Sequence, residues 1–253
     1  MYLKYNKIKN TTKILILIMA VISSVAVAIS NPLTAVVNAD NKLRPIYCVE
    51  TERRVVSLTF DAAWGSDKTL AILDILDSYN IKVTFFLVGF WIEAHPELVR
   101  EIAKRGHEIG THSMTHPKMS QLTVDEINEE LTQSVKMIEE LTGNTVSVFR
   151  PPFGDYDNKL ISACTNLNLY AIQWDVDSLD WKGLSAKEIA ARIQKAESGS
   201  IILFHNNSNN IVQALPVVIE ALIAKGLSFC PVGDLIYRSN YVINHCGKQI
   251  KTE

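Results

Sequence analysis

The chain has 253 residues, of which 47% are hydrophobic, and its 25 basic and 27 acidic side chains give a net charge of −2. This composition is too apolar and too nearly neutral for an intrinsically disordered protein. It also argues against a nucleic-acid-binding protein, because such proteins usually carry a basic excess. The length suits one large domain or two small ones.

Residues 1–39 are typical of a targeting segment. Four lysines precede an apolar run at residues 14–29, which is interrupted only by Ser23 and Ser24. A basic flank before an apolar run predicts a secretory signal, and Val37-Asn38-Ala39 places small residues where a signal peptidase would cut. The run approaches the length of a membrane span, so a cleaved signal peptide and a retained membrane anchor both stay open. Either one predicts that the rest of the chain is exported.

The exported part would be acidic. Residues 1–39 hold four of the 25 basic residues and no acidic one, which leaves 21 basic against 27 acidic residues and a net charge of −6. Bulk attraction to an anionic cell wall is therefore not expected to drive binding. Four cysteines, Cys48, Cys164, Cys230 and Cys246, are spaced unlike any zinc motif, and we expect most of them to be buried or free thiols. A Cys230–Cys246 disulfide that ties down the C-terminus is the alternative.

Strand-like and helix-like segments alternate after a polar spacer at residues 40–53. Strand patterns occur at 55–60, 81–87, 107–110, 146–149, 170–174, 201–204 and 227–229. Helix patterns lie between them at 68–79, 96–105, 123–141, 158–166, 185–196 and 211–225. About seven β/α units without a linker predict a single distorted (β/α) barrel of about seven parallel strands over residues 54–238, followed by a tail at 239–253. An open doubly wound sheet is the alternative, although the glycine-rich phosphate turn after the first strand is missing.

Charged or imidazole side chains follow five of the predicted strands. They are Asp61, His112 with His116, Arg150, Asp177 with Asp180, and His205. Chemistry in such barrels gathers at the carboxyl ends of the strands, so these side chains are expected to share one site. The spacing of His112 and His116 also allows two imidazoles to converge on one cation.

These residues, in this order, resemble the polysaccharide deacetylase family with the NodB-type domain, carbohydrate esterase family 4. The matching motifs are Thr59-Phe60-Asp61, His112-Ser113-Met114-Thr115-His116-Pro117, Arg150-Pro151-Pro152-Phe153-Gly154, Asp177-Ser178-Leu179-Asp180-Trp181 and Leu203-Phe204-His205. The Ala-Trp-Gly sequence close behind Asp61 looks most like the subgroup found in spore-forming bacteria.

The resemblance implies a hydrolase that acts on linear amide C–N bonds and removes acetyl groups from N-acetylated sugars. It gives Asp61 the role of general base, with Arg150 orienting it, and His205 the role of general acid, with Asp177 tuning it. It also implies that His112 and His116 bind a divalent metal, usually zinc. Phe153 would help to hold the oxyanion through its backbone N–H, and Asp180 and Trp181 would contact the substrate. The implied partner is peptidoglycan or another N-acetylglucosamine-containing glycan, and the protein is expected to be a monomer.

One position departs from the family pattern. Where the family has a second aspartate that binds the metal, this chain has Ala62, which cannot coordinate a cation. Three outcomes follow: water fills the position, Asp67 moves in, or the protein is a non-catalytic wall-binding protein on the same fold. Hydrolysis of another amide or a cyclic imide would use the same chemistry in a groove of different shape.

Overall fold

The structure is a computed structural model that describes residues 42–252. The predicted targeting segment at residues 1–39 lies outside the described residues. Within residues 42–252, no helix is long and apolar enough to cross a membrane.

Eleven strands, numbered in chain order, occur in the described part of the chain. They are β1 (Cys48–Val49), β2 (Val55–Ala62), β3 (Thr84–Leu87), β4 (Glu108–Thr111), β5 (Val148–Phe149), β6 (Tyr170–Ala171), β7 (Val176–Asp177), β8 (Ile201–His205), β9 (Ser228–Phe229), β10 (Tyr241–Ile243) and β11 (Lys248–Lys251). Seven of them form a parallel path in the order β6-β5-β4-β3-β2-β8-β7, and β9 pairs with the start of β2. This curled parallel sheet confirms the predicted distorted barrel.

Eight α-helices in the described residues connect these strands. They are Thr69–Ser78, Gly89–Ala94, Pro96–Lys104, Val124–Thr142, Asn158–Asn166, Ala186–Ile193, Ile211–Ala224 and Val232–Leu235. Two of these helices begin with a capping box: Thr123 and Glu126 open one helix, and Ser185 and Glu188 open another. Each box satisfies two backbone N–H groups at the helix start, which is why these helices begin where the sequence predicts.

The central strand β2 organises the core. All eight of its residues are buried, as expected for a parallel strand that is covered on both faces. Phe60 on β2 stacks between Phe85 on β3 and Phe204 on β8, with ring centroids 5.2 and 5.5 Å away. The apolar run of β2 therefore fixes the sheet centre, and the residues at its carboxyl end are held rigidly.

The segments expected to be a spacer and a tail form a second sheet instead. β1 pairs in parallel with β11, and β10 pairs with β11 in antiparallel register, which gives the order β1-β11-β10. These strands are two to four residues long, so their sequence pattern is too short to reveal them. The two ends of the described chain are thereby joined.

Gln249 on β11 attaches this small sheet to the rest of the molecule. Its carboxamide is fully buried, donates through Nε2 to the Tyr237 carbonyl at 2.8 Å, and accepts through Oε1 from the Tyr237 N–H at 2.9 Å. One side chain therefore satisfies both backbone groups of a residue outside the sheet.

All four cysteines are free thiols. Cys164 and Cys230 are buried, Cys48 is half-buried and Cys246 is exposed. The alternative Cys230–Cys246 link is therefore absent, because Cys230 lies within an apolar cluster while Cys246 lies in the exposed turn before β11.

We expect Gln249→Ala to lower the free energy of unfolding by about 1–3 kcal/mol, because it leaves buried backbone groups of Tyr237 unpaired. Urea unfolding followed by circular dichroism measures the change. Lys248→Ala, an exposed neighbour on the same strand, is the control. Equal stability of the two variants would show that Gln249 does not anchor the sheet.

Candidate active site

The side chains predicted to share a site meet at the carboxyl ends of the central strands. Asp61 and His205 are direct neighbours across the β2–β8 pairing, and His112 directly follows β4. They border a cavity of about 600 Å³. Its lining comprises Asp61, Ala63, Trp64, His112, His116, Phe153, Trp174, Asp177, Trp181, Leu203, His205 and Asn207.

Asp61 and Arg150 form a buried ion pair at the floor of this cavity. Nη1 of Arg150 donates to Asp61 Oδ1 and to Thr59 Oγ1, both at 2.8 Å, and Nη2 donates to the Gln173 carbonyl at 3.1 Å. The guanidinium also lies 4.2 Å from the centre of the Phe86 ring. Burial alone would raise the pKa of Asp61, but the charge and hydrogen bond of Arg150, together with contributions from His112 and His205, outweigh it and hold the pKa below its ordinary value. Asp61 is therefore an ionised carboxylate.

His112 is oriented by the same arginine residue. Its Nδ1 donates to the Arg150 carbonyl at 2.7 Å, since a carbonyl can only accept, and its Nε2 lies 3.5 Å from Asp61 Oδ2. Burial lowers the pKa of His112, so the ring is neutral and carries its lone pair on Nε2. A backbone carbonyl on the other ring nitrogen is the usual support for a metal-binding imidazole.

His116 lies in an apolar aromatic environment. Its ring makes edge contacts with His112 at 4.9 Å, Trp64 at 4.9 Å and Phe153 at 4.5 Å between centroids. Burial lowers the pKa of His116 to about 4, so this imidazole is also neutral near pH 7. The structure therefore brings the two predicted metal ligands together in their neutral forms.

The described residues do not complete a metal site. No three His, Cys, Asp or Glu side chains within residues 42–252 are grouped so that they could hold a metal ion. The side chain of Ala62 is 1% exposed and lies in the apolar core. Asp67 pairs with Lys68 at 2.8 Å with its own side chain 70% exposed, outside the cavity lining, so it does not replace the missing aspartate. Catalytic zinc sites use three protein ligands, and this chain supplies two imidazoles.

The partner of His205 is Asp180, which corrects the expected role of Asp177. His205 Nδ1 donates to Asp180 Oδ1 at 2.8 Å, and the His205 backbone N–H donates to Asp180 Oδ2 at 2.9 Å. Asp177 instead accepts from the Leu179 N–H at 2.8 Å. Leu179 has a left-handed backbone, with φ 52°, and the resulting turn directs Asp180 inward. Asp180, expected at the substrate surface, is 1% exposed.

This pairing sets the charge of His205. Burial alone would lower the pKa of His205, but the hydrogen bond and charge of Asp180, with smaller contributions from Asp61 and Asp177, raise it above its ordinary value. The protonated form therefore persists to higher pH than in a free histidine. The cavity thus holds an ionised carboxylate and a histidine that is protonated more readily than a free one, at the ends of two neighbouring strands.

Three large aromatic side chains are exposed at the cavity. Trp181 and Trp64 are each 59% exposed and Phe153 is 63% exposed. The sequence motifs predict Trp181 and Phe153 at the site. They do not predict Trp64, because a lone tryptophan is more often a core residue, and they give no signal for Asn207. Phe153 has φ 59°, so the turn Pro152–Gly154 presents its backbone in an unusual conformation. Its oxyanion role stays a prediction.

Known proteins resemble this chain in sequence and in fold. The model of the Polysaccharide deacetylase family matches residues 49–172. A peptidoglycan-N-acetylglucosamine deacetylase of Bacillus cereus is 34% identical over 189 residues, which cover 73% of this chain and 69% of that protein. The uncharacterized protein YlxY of Bacillus subtilis is 32% identical, and the match spans 76% of this chain and 60% of that relative's length.

A solved structure shows the same likeness in three dimensions. A CE4 family pseudoenzyme from Bacillus anthracis superimposes with a TM-score of 0.73 at 32% identity, over 76% of this chain and 68% of that one. A mutant of that protein is described as having restored enzymatic activity. The chain therefore belongs to the polysaccharide deacetylase family, whose members include both deacetylases and a pseudoenzyme.

The geometry predicts unequal effects of the two aspartates on His205. Asp180→Asn is expected to lower the pKa of His205, because the variant loses the negative charge that the Asp180 carboxylate places beside His205 Nδ1. The matched change Asp177→Asn should lower the pKa of His205 much less. An NMR titration of the His205 ring protons measures both values without requiring catalysis. A larger shift in Asp177→Asn would restore the original assignment.

Proposed function

We propose that this protein is an exported hydrolase that removes acetyl groups from N-acetylated sugars of peptidoglycan or a related glycan. The observation that carries the proposal is that Asp61 and His205 line one cavity. Arg150 holds the Asp61 carboxylate, and Asp180 holds the His205 imidazole. Two titratable groups whose surroundings separate their protonation states are suited to acid and base roles in one reaction.

The reaction follows from these two groups. Asp61 accepts a proton from water as the water oxygen attacks the acetyl carbonyl carbon, and Arg150 keeps that carboxylate ionised and oriented. His205 gives its proton to the sugar nitrogen as the C–N bond breaks, so that acetate and a free amine leave. Since the pKa of His205 is raised, activity should persist to a higher pH than the pKa of a free histidine would allow, and it should be lost as the pH rises through the raised pKa.

Other parts of the proposal are supported by family membership and by the sequence. Relatives that carry the name peptidoglycan-N-acetylglucosamine deacetylase support a wall glycan as the substrate. The basic and apolar pattern of residues 1–39 supports export, with membrane attachment if that segment is retained. The resemblance to the subgroup of spore-forming bacteria supports a role in sporulation or the spore cortex.

Loss of either proton-transfer group should abolish most of the activity. We expect Asp61→Asn and His205→Ala to reduce acetate release from chitooligosaccharides or wall fragments by about 10²–10⁴-fold, the usual contribution of general acid–base catalysis. Released acetate is measured with and without added zinc or cobalt. His245→Ala, which changes an exposed histidine near the C-terminus, is the control. Acetate release by the wild type no faster than by Asp61→Asn would exclude the hydrolase.

A second candidate is a non-catalytic wall-binding protein built on the same fold. The incomplete metal site favours it, because a carbonyl without a Lewis acid is a poor electrophile, and a pseudoenzyme is among the similar structures. This candidate predicts binding of wall glycan without acetate release.

Zinc affinity tests the metal site separately from activity. We expect Ala62→Asp to bind zinc about 10–100-fold more tightly than the wild type in calorimetry, because it restores the carboxylate that the family pattern has at this position as a metal ligand. Since position 62 is buried, the variant should melt at a lower temperature without zinc and recover when zinc is added. Ala62→Asn, similar in size but uncharged, is the control. A wild-type affinity equal to that of Ala62→Asp would show that the site is already complete.

A further inference from the structure

Two residues at the cavity take no part in the proton transfers. Trp64 lies on the loop that follows β2, and Asn207 lies on the loop that follows β8, so they come from neighbouring strands. Both line the same cavity as Asp61 and His205.

The loop that carries Trp64 is held firmly. The Gly65 carbonyl accepts hydrogen bonds from Trp91 Nε1 at 2.8 Å and from Asn206 Nδ2 at 2.9 Å. Gly65 itself has φ +66°, a conformation that favours glycine. The Trp64 ring contacts His116 and Phe90 on one side and still leaves 59% of the residue exposed. An anchored loop therefore presents a large apolar surface to solvent beside the reacting groups, which is typical of a ligand groove.

Asn207 differs from the asparagines around it. Asn206 donates to the Gly65 carbonyl, and Asn210 donates to the Leu184 carbonyl at 2.8 Å. Across residues 42–252, by contrast, the Asn207 carboxamide has no hydrogen-bond partner. Its Cβ lies 3.1 Å from the position that a Cβ on Gly65 would occupy, so the two loops are in contact. A carboxamide that offers both donors and an acceptor is thus positioned next to the Trp64 loop.

We propose that Trp64 and Asn207 form a sugar-binding subsite that positions the glycan, an inference that rests on the proposed function for the identity of its ligand. A pyranose ring has an apolar face of C–H groups, which packs on the Trp64 ring, and hydroxyls at its edge, which exchange hydrogen bonds with Asn207. The acidic charge of the exported chain offers no general attraction to a wall polymer, so recognition depends on such local contacts. Both are positioning residues, and neither moves a proton.

The subsite is tested by binding of N-acetylglucosamine tetramer, measured by calorimetry. We expect Asn207→Ala to weaken binding about 3- to 10-fold, the effect of one lost hydrogen bond, and Trp64→Ala to weaken it by about 10-fold or more. Asn209→Ala, an exposed asparagine two residues away and outside the cavity lining, is the matched control and should bind as the wild type does. Trp64→Phe keeps an aromatic ring, and Asn207→Ser replaces the carboxamide with a hydroxyl that can still donate and accept a hydrogen bond, so both variants should recover part of the affinity.

Tetramer binding tests the sugar-binding subsite, and acetate release tests the proposed hydrolase, so the two proposals can fail independently. Weakened tetramer binding in both variants supports the subsite, even if the wild type releases no acetate. Unchanged binding in both variants overturns the subsite, even if the wild type hydrolyses the tetramer. Loss of affinity in Asn209→Ala to the same extent also overturns it, because the effect would then not be local to the cavity.

Discussion

The buried pair of Arg150 and Asp61 is the interaction on which the rest of the site depends. A guanidinium without solvent contact must find its partners within the protein, and Arg150 finds them on several strands: Asp61 and Thr59 on β2, the Gln173 carbonyl and the Phe86 ring on β3. Its own carbonyl fixes the ring of His112. Removing one member of such a pair leaves an uncompensated buried charge, which typically costs about 3–5 kcal/mol. The same residue therefore keeps the base ionised, orients an imidazole and ties the strand ends together.

The carboxylates of Asp61 and Asp180 have different roles because their neighbouring residues differ. Asp61 faces a permanent cation, which lowers its pKa, whereas Asp180 faces an imidazole whose pKa it raises. This division creates a base and an acid within one cavity. The arrangement of Asp61 and His205 is present even though this chain has Ala62 in place of an expected metal ligand. The proton-transfer pair and the metal site are therefore separable features of the fold. Metal affinity, and not the acid–base geometry, distinguishes the hydrolase from a wall-binding protein here.

The proposed sugar-binding subsite and the proposed acid–base pair lie at the ends of the same two strands. Trp64 follows the strand that carries Asp61, and Asn207 follows the strand that ends at His205. Gly65 joins the two loops through a carbonyl that accepts two hydrogen bonds. A sugar bound at the proposed subsite would therefore be positioned by residues that lie close behind Asp61 and His205 in the sequence. Rigid strand ends of this kind hold a site more accurately than a free loop does.

The sequence alone determined six of the helices, the parallel strands and the set of polar strand ends, because these depend on local periodicity, capping residues and the rule that parallel strands end at one rim. Asp61, His112, His116, Arg150 and His205 could all be placed in this way. The choice between Asp177 and Asp180 could not, since it depends on the contact between Asp180 and His205, which the left-handed turn at Leu179 permits. The exposure of Trp64 and the sheet formed by β1, β10 and β11 were also decided only by tertiary structure. In each case the deciding contact joins segments far apart in the chain, and no local pattern records it.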